Sequence, residues 1–396
     1  MTRIRADGRF TSFVLIRAYP RHPRFFFVIA METCEVLIVG GGPAGLATAL
    51  ELAHQHIAAM VVERSAYNDL RIGEHLTPPG VLRLRALDPA FPGPAGVHGE
   101  SAGVTAYWGS ETANHTDYFL HPGQHGLNLS RPRFDADLAR AAESSGVSIL
   151  RIASLKRAVR SNAVWQVDID RDGSADQVTV SFIVDATGRL ASFSRQQGAR
   201  IQAHDRQVAV VAFQVCANEA HPNTRSIVET AENGWWYVAP INATRSMCMF
   251  VTDDDLLPRS SKRDLRAWWL DQVGQAVFVP RQFRDLAHSR DFVTRSARSQ
   301  CLDVPVGSGW LAVGDAAMAF DPLASQGIIK ALDHGWQAAT SIAAYLKGEH
   351  SSLEKFALQQ RREYAVFQTT RAQYYRLEQR WPRSAFWRRR NDATKL

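Results

Sequence analysis

The chain has 396 residues, of which 45% are hydrophobic, so it is long and apolar enough to fold and is not intrinsically disordered. Its formal net charge of +7 comes from the two ends, because residues 1–30 carry +5 and residues 371–396 carry +6, which leaves the body between them acidic; a nucleic-acid partner is therefore not expected. Four widely spaced cysteines without a CxxC pair argue against a disulfide framework or a zinc site and indicate a cytoplasmic location.

Residues 1–30 differ from the rest of the chain, with six arginines scattered between short apolar runs. They lack the apolar core and the small-residue cleavage site of a secretory signal. Either an arginine-rich transit peptide or a true translation start at Met31 fits this composition, and we expect a poorly ordered extension in both cases. No apolar run reaches the length of about eighteen residues that a membrane span needs, so none is expected.

A nucleotide-binding pattern begins directly after this extension. The apolar run EVLIV predicts a buried parallel strand, and AAMVVE predicts a second strand that ends in Glu63 and is followed by Arg64. Between the two strands lie three glycines in GxGxxG spacing and the start of a predicted helix. The residues of this turn that we expect to contact a ligand are Gly40, Gly42, Pro43, Ala44 and Gly45.

Each residue type in this pattern has a physical reason. Gly40 permits a tight turn, Gly42 lets the backbone approach a pyrophosphate, and Gly45 lets helix and strand pack closely. The helix N-terminus offers free N–H groups to the phosphates, and Glu63 can accept hydrogen bonds from the hydroxyls of an adenosine ribose. The pattern predicts a dinucleotide site but does not distinguish FAD from NAD.

The next unusual stretch is RIGEHLTPPG, at residues 71–80, which is polar and restricted by two prolines. It is too rigid for an ordinary connecting loop. His75 in this stretch is either a general base for neutral-pH chemistry or a hydrogen-bonded loop residue.

Residues 206–256 read as several strands of an antiparallel sheet. Trp235 and Trp236 are neighbours on one of these strands, so they point to opposite faces, and either is a candidate for the substrate pocket or for the core. RDLRAWWLDQV, at residues 263–273, predicts a helix on the outside of this sheet.

A second glycine-bearing segment, GWLAVGDAAMAFDPLASQGIIKA, spans residues 309–331. Its apolar strand ends in Gly314 and Asp315, which places a carboxylate at the carboxyl edge of a sheet, where ligands bind in such folds. Gly327 and Ile328 open a helix that is expected to run to about Lys347.

The C-terminal part predicts one long helix and a basic tail. Ser351 and Glu354 have capping-box spacing, and Phe356, Tyr364 and Phe367 are expected to dock on the body. The arginines at 388–390 are expected to form a solvated tail.

The first signature, the DATG at 185–188 and the second signature together resemble the FAD-dependent monooxygenases of the para-hydroxybenzoate hydroxylase type. This resemblance covers most of residues 33–350. It implies that FAD is the cofactor, that Asp315 holds its ribityl chain, and that Gly327 and Ile328 face the pyrimidine edge of the flavin. The segment RPRFD resembles the family's Arg-x-x-Phe-Asp motif and implies that Arg131 is a cofactor-side contact.

IGEHLTPP resembles the Ile-Gly-Glu-Ser segment of the tryptophan-halogenase-like branch, in which it runs past the flavin toward the substrate. His75 departs from the serine usual there. The FDPLASQG and GWWYVAP segments also resemble this branch, which includes relatives that mature tryptophan-derived quinone cofactors.

The branch contains both halogenases and oxygenases, and two absences favour an oxygenase. Halogenases of the family supply a lysine from their first third, whereas this chain has none between Met31 and Leu155, and their Trp-x-Trp-x-Ile-Pro signature is also missing. Arginine stays protonated and is a poor nucleophile, so it would not replace that lysine. A halogenase, an FAD-dependent saturating reductase and a non-enzymatic escort protein of the same fold remain as alternatives.

The expected reaction inserts one oxygen atom from O2, by way of a flavin C4a-hydroperoxide, into an aromatic or indole-like substrate, either a small molecule or a side chain in a peptide. No second dinucleotide loop is present, so electrons would come from transiently bound NAD(P)H or from a separate flavin reductase. The histidines form no ligand cluster, and no metal site is expected.

The predicted fold class is α/β, with a Rossmann-like FAD-binding domain built on a parallel sheet, an antiparallel-sheet substrate domain and a C-terminal helix. The expected division assigns residues 1–30 to the extension; 31–72, 128–205 and 295–348 to the FAD-binding domain; 73–127 and 206–294 to the substrate domain; and 349–396 to the C-terminal helix and basic tail.

Overall fold

The structure is a computed structural model. It describes residues 34–91, 97–121, 125–171, 173–215, 224–242, 245–258, 262–279 and 292–392. The extension expected at residues 1–30 lies outside these ranges.

The described residues form eight α-helices: α1 (Pro43–His54), α2 (Pro78–Leu87), α3 (Arg131–Ser144), α4 (Ser192–Gln196), α5 (Lys262–Gln275), α6 (Gly327–Leu346), α7 (Ser351–Arg376) and α8 (Ala385–Asn391). They also form twenty-two strands: β1 (Val36–Val39), β2 (Ala59–Glu63), β3 (His75–Leu76), β4 (Gly99–Ser101), β5 (Gly103–Tyr107), β6 (Asn114–Asp117), β7 (Gly126–Asn128), β8 (Ser148–Arg151), β9 (Ala153–Ser161), β10 (Val164–Arg171), β11 (Ser174–Val180), β12 (Phe182–Asp185), β13 (Ile201–Ala203), β14 (Gln207–Val215), β15 (Arg225–Ala231), β16 (Gly234–Asn242), β17 (Arg245–Asp253), β18 (Val293–Ser296), β19 (Gln300–Leu302), β20 (Val306–Gly307), β21 (Trp310–Ala312) and β22 (Met318–Ala319).

A six-stranded sheet carries both glycine-bearing turns. Its order is β20-β21-β12-β1-β2-β8, and all neighbours run parallel except β20 and β21. Strands β1, β2, β12 and β21 are wholly or largely buried and apolar, as parallel strands covered on both faces must be. The strands predicted from EVLIV, AAMVVE and WLAVG are therefore confirmed, and their carboxyl ends lie along one edge.

Helix α6 packs against α1 over one face of this sheet. The contact is close because Gly335 has no side chain, and a Cβ there would lie 2.5 Å from the Cβ of Ala47. Helix α6 ends at Leu346, and Gly348 follows in a left-handed conformation with φ of +97°. The predicted end of this helix is thus confirmed to within a residue.

A seven-stranded sheet forms the second layer, in the order β18-β14-β17-β16-β15-β5-β6. Only β15 and β5 pair in parallel among its described strands, so the antiparallel sheet predicted for residues 206–256 is confirmed. Helix α5 covers one face through Trp269, and the other face packs against Leu70, Ile72 and the C-terminal aromatic residues.

The C-terminal region docks along the body. Phe356, Tyr364 and Phe367 are buried, as predicted. The predicted capping box does not form, because the helix begins after His350 without a side-chain cap. The hydroxyl of Ser352 instead donates to the carbonyl of Ser341, at 2.9 Å, and so joins the start of α7 to α6.

The predicted solvated tail at 388–390 is corrected. Arg389 and Arg390 lie in α8 and form ion pairs with Asp253, whose carboxylate is buried. Arg389 also binds Asp255, at 2.7 Å. These pairs fix α8 to the end of β17, and of the three arginines Arg388 is the exposed one, whereas Arg389 and Arg390 are half-buried. None of the helices in the described ranges is both long and apolar enough to cross a membrane.

Candidate functional site

The first glycine turn has the close approaches that its spacing predicts. Gly40 has φ of +110°, and a Cβ there would lie 2.2 Å from the carbonyl oxygen of Ala186. A Cβ on Gly45 would lie 2.0 Å from the oxygen of Gly40. Gly42, in contrast, would meet nothing within 4 Å, so its backbone faces open space at the tip of α1. Pro43 and Ala44 form the first turn of that helix.

Glu63 lies beside this turn, and both oxygens of its carboxylate accept hydrogen bonds. It accepts a hydrogen bond from the backbone N–H of Gly41, at 2.7 Å, and others from Ser65 and from Arg71, the latter at 2.9 Å. Arg71 also binds Asp135, at 2.8 Å, and so joins the end of β2 to α3. Arg64, expected to contact the cofactor, is exposed at the end of the strand.

The second glycine turn lies directly on the first. A Cβ on Gly314 would lie 2.7 Å from the Cβ of Ala44, in the first turn of α1. Glu63 and the strand that leads to Asp315 are separated by three strand spacings in the sheet, which is about 15 Å. One extended dinucleotide along the carboxyl edge can therefore reach both carboxylates.

Asp315 is held between two positive charges. Its carboxylate accepts from Lys330, at 2.8 Å, and lies 3.5 Å from Arg189. Burial would raise the pKa of Asp315, but Lys330 and Arg189 hold it below its usual value. The carboxylate is therefore ionised at neutral pH, and with its side chain 35% exposed it can still accept hydrogen bonds from ligand hydroxyls.

Two helix N-termini face this edge without caps of their own. Neither Gly42 before α1 nor Gln326 before α6 makes a side-chain capping bond. A Cβ on Gly327 would meet nothing within 4 Å, whereas Ile328 beside it is buried. The free N–H groups of both helices are thus available to negatively charged or carbonyl groups of a ligand.

Arg131 lies between the first signature and the 71–80 segment. It is buried, pairs with Asp135 at 3.2 Å and donates to the carbonyl oxygen of Ile72. A Cβ on Gly73 would lie 2.8 Å from its Nη1 atom and 4.0 Å from Ile328. The 71–80 segment therefore passes directly beside the tip of α6.

His75 points into a buried polar group rather than toward solvent. Its Nε2 atom lies 3.2 Å from the hydroxyl of Ser101 and 3.4 Å from that of Tyr118. Burial lowers the pKa of His75 to about 4, so the ring is neutral at physiological pH. Its Nδ1 atom has no hydrogen-bond partner among the residues that the structure describes.

Trp235 and Trp236 occupy opposite faces of β16, as their alternation predicts, but both are packed in aromatic clusters. Trp235 donates from its indole N–H to the hydroxyl of Tyr375, at 3.0 Å. Trp236 packs on Trp269 with ring centroids 4.8 Å apart. With exposures of 1% and 0%, both are buried, which favours the core of the two alternatives that the sequence left open.

Sequence reasoning missed Arg71 and Lys330 as parts of this site. A signal for Lys330 was present, because it interrupts the apolar run GIIKA on a helix that otherwise buries this face.

These features match a known family over most of the chain. The model of the FAD binding domain family matches residues 33–366. This chain belongs to the FAD binding domain family. It is thus a flavoprotein and an FAD-dependent oxidoreductase, and its fold has the expected mixed α/β class.

The chain is similar both to a putative FAD-dependent oxidoreductase and to a halogenating enzyme. The putative FAD-dependent oxidoreductase LodB of Marinomonas mediterranea is 29% identical over 376 residues, which are 92% of this chain and 99% of LodB. The 1H-pyrrole-2-carbonyl-[peptidyl-carrier protein] brominase of Pseudoalteromonas luteoviolacea is 25% identical, over 80% of this chain and 79% of the brominase.

Among solved structures, the flavin-dependent halogenase CmlS has a TM-score of 0.78 and 24% identity, and covers 91% of this chain and 68% of its own. The peptidyl tryptophan dihydroxylase QhpG has a TM-score of 0.75 and 24% identity, and covers 91% of this chain and 86% of its own. At this identity both neighbours establish the fold.

The residues of the site fit FAD. The open space at Gly42 and Gly327 gives room for the pyrophosphate and the flavin edge, and Asp315 is exposed enough to bind ribityl hydroxyls. The buried hydroxyl of Tyr67 has no hydrogen-bond partner in the described part of the chain, and a Cβ on Gly41 would lie 2.2 Å from it. A ligand along the glycine turn can supply that partner.

Proposed function

We propose that this protein is an FAD-dependent monooxygenase that inserts one oxygen atom from O2 into an aromatic or indole-like substrate. Bound FAD, once reduced, would supply the activation of O2. The observation that carries the proposal is the absence of any lysine between residues 31 and 155, together with the engagement of Lys330, the lysine that lies beside Asp315.

The ammonium group of Lys330 is enclosed on all sides. It donates to Asp315, at 2.8 Å, and to the carbonyl oxygen of Met318, and lies 4.5 Å from the ring centroid of Phe320. Its side chain is 1% exposed. An ammonium group held by two hydrogen bonds and a ring face is poorly placed to bind a hypohalous acid, and no lysine occurs at all between residues 31 and 155.

In this proposal the chain's own residues bind, orient and exclude water. Asp315 and Glu63 fix the two ends of the cofactor, and the tip of α6 stabilises negative charge on its pyrimidine edge. Phe213 and Ile241 contribute apolar surface to the cavity beside the 71–80 segment and so help to exclude water from it. His75, which is neutral and has a free Nδ1 atom, is proposed to bind a polar group of the substrate.

The substrate class is also part of the proposal. The name of QhpG refers to a peptidyl tryptophan, and the segments at residues 71–80 and 320–327 resemble the same branch, so an indole side chain in a peptide is a suitable first substrate. The electron donor is proposed to be NAD(P)H or a separate flavin reductase.

Isotope labelling tests this function. The enzyme would be reduced without oxygen, then mixed with ¹⁸O2 and N-acetyltryptophanamide or a tryptophan-containing peptide, with and without bromide. We expect one labelled oxygen atom in the product, independent of bromide. Bromine in the product would contradict the proposal in favour of a halogenase, and a purified protein that binds no flavin would favour an escort role. If hydrogen peroxide were the sole product with every indole and phenol of a panel, the monooxygenase proposal would be contradicted without support for either the halogenase or the escort role.

A further inference from the structure

Glu74 is a buried carboxyl group that the proposed function does not yet use. It is 2% exposed. Its Oε2 atom accepts a hydrogen bond from the backbone N–H of Gly73, at 3.0 Å. Its Oε1 atom is buried and has no hydrogen-bond partner among the residues described. A buried carboxyl oxygen without a hydrogen-bond partner is energetically unfavourable unless it is protonated or binds a ligand. We therefore expect this atom to bind a proton or a ligand group during function.

The position of Glu74 relates it to both layers of the molecule. Gly73 before it has φ of +111° and lies against Arg131 and Ile328, at the tip of α6. Glu74 itself lines a small cavity together with Phe213 and Ile241, which belong to β14 and β16 of the seven-stranded sheet. The carboxyl group thus lies where the flavin-binding layer meets the sheet that covers it.

Several charged or titratable groups face Glu74 from the elements packed around it. Arg131 comes from α3, Arg245 from β17 and Tyr237 from β16, and Arg71 lines the same cavity. Burial outweighs the arginines and raises the pKa of Glu74 to about 7. The group therefore exists in both protonation states near neutral pH, as an acid–base group must.

We propose that Glu74 accepts the proton that leaves the aromatic carbon after oxygen has been added to it. This role rests on the monooxygenase function proposed above. The C–H bond breaks, its electron pair restores the aromatic ring, and the proton is taken up by the free Oε1 atom of the ionised carboxylate. O2 would supply the inserted oxygen atom and bound reduced FAD the two electrons, the second oxygen atom would leave as water, and Glu74 is regenerated by releasing its proton to solvent.

The first arm of the test needs no substrate. Infrared difference spectra of the purified holoenzyme, recorded against pH, are expected to show the C=O band of a protonated carboxyl group that disappears with a midpoint near 7. The band should be missing from Glu74→Gln and present in Glu100→Gln, a matched change at an exposed glutamate on strand β4. Absence of the band from the wild type, or its persistence in Glu74→Gln, would overturn the proposal.

The pH dependence of the melting temperature Tm is a second measurement of the protonation of Glu74 that needs no substrate. Because the pKa of Glu74 is raised from 4.5 in the unfolded chain to about 7 in the folded one, the folded state binds the proton more tightly. Wild-type Tm should therefore contain a component that falls as the pH rises through this range and is constant above it. Glu74→Gln should lack that component, and Glu100→Gln should retain it.

The second arm uses turnover of N-acetyltryptophanamide by reduced enzyme and O2. The wild-type rate should rise with pH through about 7, as Glu74 ionises. Glu74→Gln should lose this rise and be slower by about a hundredfold above it, while its flavin absorbance and FAD content stay normal. A Glu74→Gln variant with the wild-type pH profile would overturn this role alone, whereas a wild type that oxygenates no indole or phenol would overturn the proposed function as well.

Discussion

The two glycine-bearing turns of the site are built in different ways. The first is local: Gly41 is bound by Glu63 and Glu63 by Arg71, all within one strand-helix-strand unit and the loop after it. The second turn, at Gly314 and Asp315, is held by residues from distant parts of the chain. A self-contained turn and an externally supported one therefore flank the proposed FAD site.

Helix α7 supplies most of that external support. Gln360 donates to the carbonyl oxygen of Ala312, at 3.1 Å, at the end of β21. Glu363 binds the Nε2 atom of His334, at 3.0 Å, and the Nδ1 atom of the same ring accepts from the N–H of Gly314, at 3.1 Å. This chain of bonds sets the position of the Gly314 turn from outside the sheet.

Further along, α7 also holds the loop that leads to α6. Arg371 and Tyr375 both donate to the Oδ2 atom of Asp321, each at 2.8 Å. The other oxygen of Asp321 accepts from the N–H of Leu323, at 3.0 Å. Damage to the first turn should therefore act through the turn itself, whereas the second turn can be destabilised by changes in α7, which lies outside the proposed FAD site.

The largest expected effect breaks the first turn. Gly40→Ala forces a side chain into a φ of +110° and into the carbonyl of Ala186, so we expect a loss of about 3 kcal/mol or more in the free energy of unfolding. Gly42→Ala, where a methyl group meets nothing within 4 Å, should fold normally but bind FAD about tenfold more weakly or worse, because the methyl group lies in the approach to the pyrophosphate.

Chemical denaturation and FAD titration of these two variants separate folding from binding. Gly146→Ala is a suitable control, because φ is +88° there but no atom lies within 4 Å of the added Cβ. It should show a modest loss of stability and unchanged FAD affinity. Normal stability in Gly40→Ala would contradict the steric argument.

The second largest effect is expected at the ion pair of Asp315 and Lys330, at the second glycine turn. Asp315→Ala removes the counter-charge of the buried Lys330, so we expect a loss of about 3 kcal/mol in stability together with weaker FAD binding. Adding Lys330→Met should restore much of the stability, because no buried charge is then left unpaired, but not the FAD affinity. A double variant as unstable as Asp315→Ala alone would show that the pair is not the source of the loss.

The difference between the locally built first turn and the externally supported second turn also explains which site residues could be predicted from the sequence. Glu63 was found because its partners follow one another in a short, regular strand-turn-helix pattern. Asp315 was found because a buried strand ends directly before it. Lys330 was missed because its contact with Asp315 depends on the path of the loop between them, which no periodicity determines.

Contacts between residues that are far apart in the sequence could not be predicted either. The alternation of residues in β16 correctly placed Trp235 and Trp236 on opposite faces. It could not reveal that Tyr375, 140 residues away, takes the indole N–H of Trp235. Similarly, the charge of Arg389 was visible in the sequence, but not the acidic residues that it meets on β17.

A smaller effect is expected when the hydrogen bond from α7 to His334, which supports the second turn, is removed. Glu363→Leu removes the acceptor of His334, so the ring is freed to turn away from Gly314, and we expect a loss of about 1 kcal/mol and a several-fold weaker affinity for FAD. Glu363→Gln keeps an oxygen acceptor and should lie close to the wild type. Equal losses in both variants would mean that charge, rather than the hydrogen bond, connects α7 to the turn.

The smallest effect is expected at α8, which supports the seven-stranded sheet and neither turn. Arg389→Ala should lower stability by less than about 1 kcal/mol, because the side chain is 34% exposed and its pairs are screened. Its hydrogen bond lowers the pKa of Asp255, so this contribution is present at neutral pH and is lost as the pH falls through that lowered value. Arg388→Ala, at the exposed neighbour, should change nothing. FAD affinity should be unchanged in both variants, and a weaker affinity in Arg389→Ala would mean that support for the second turn extends beyond α7.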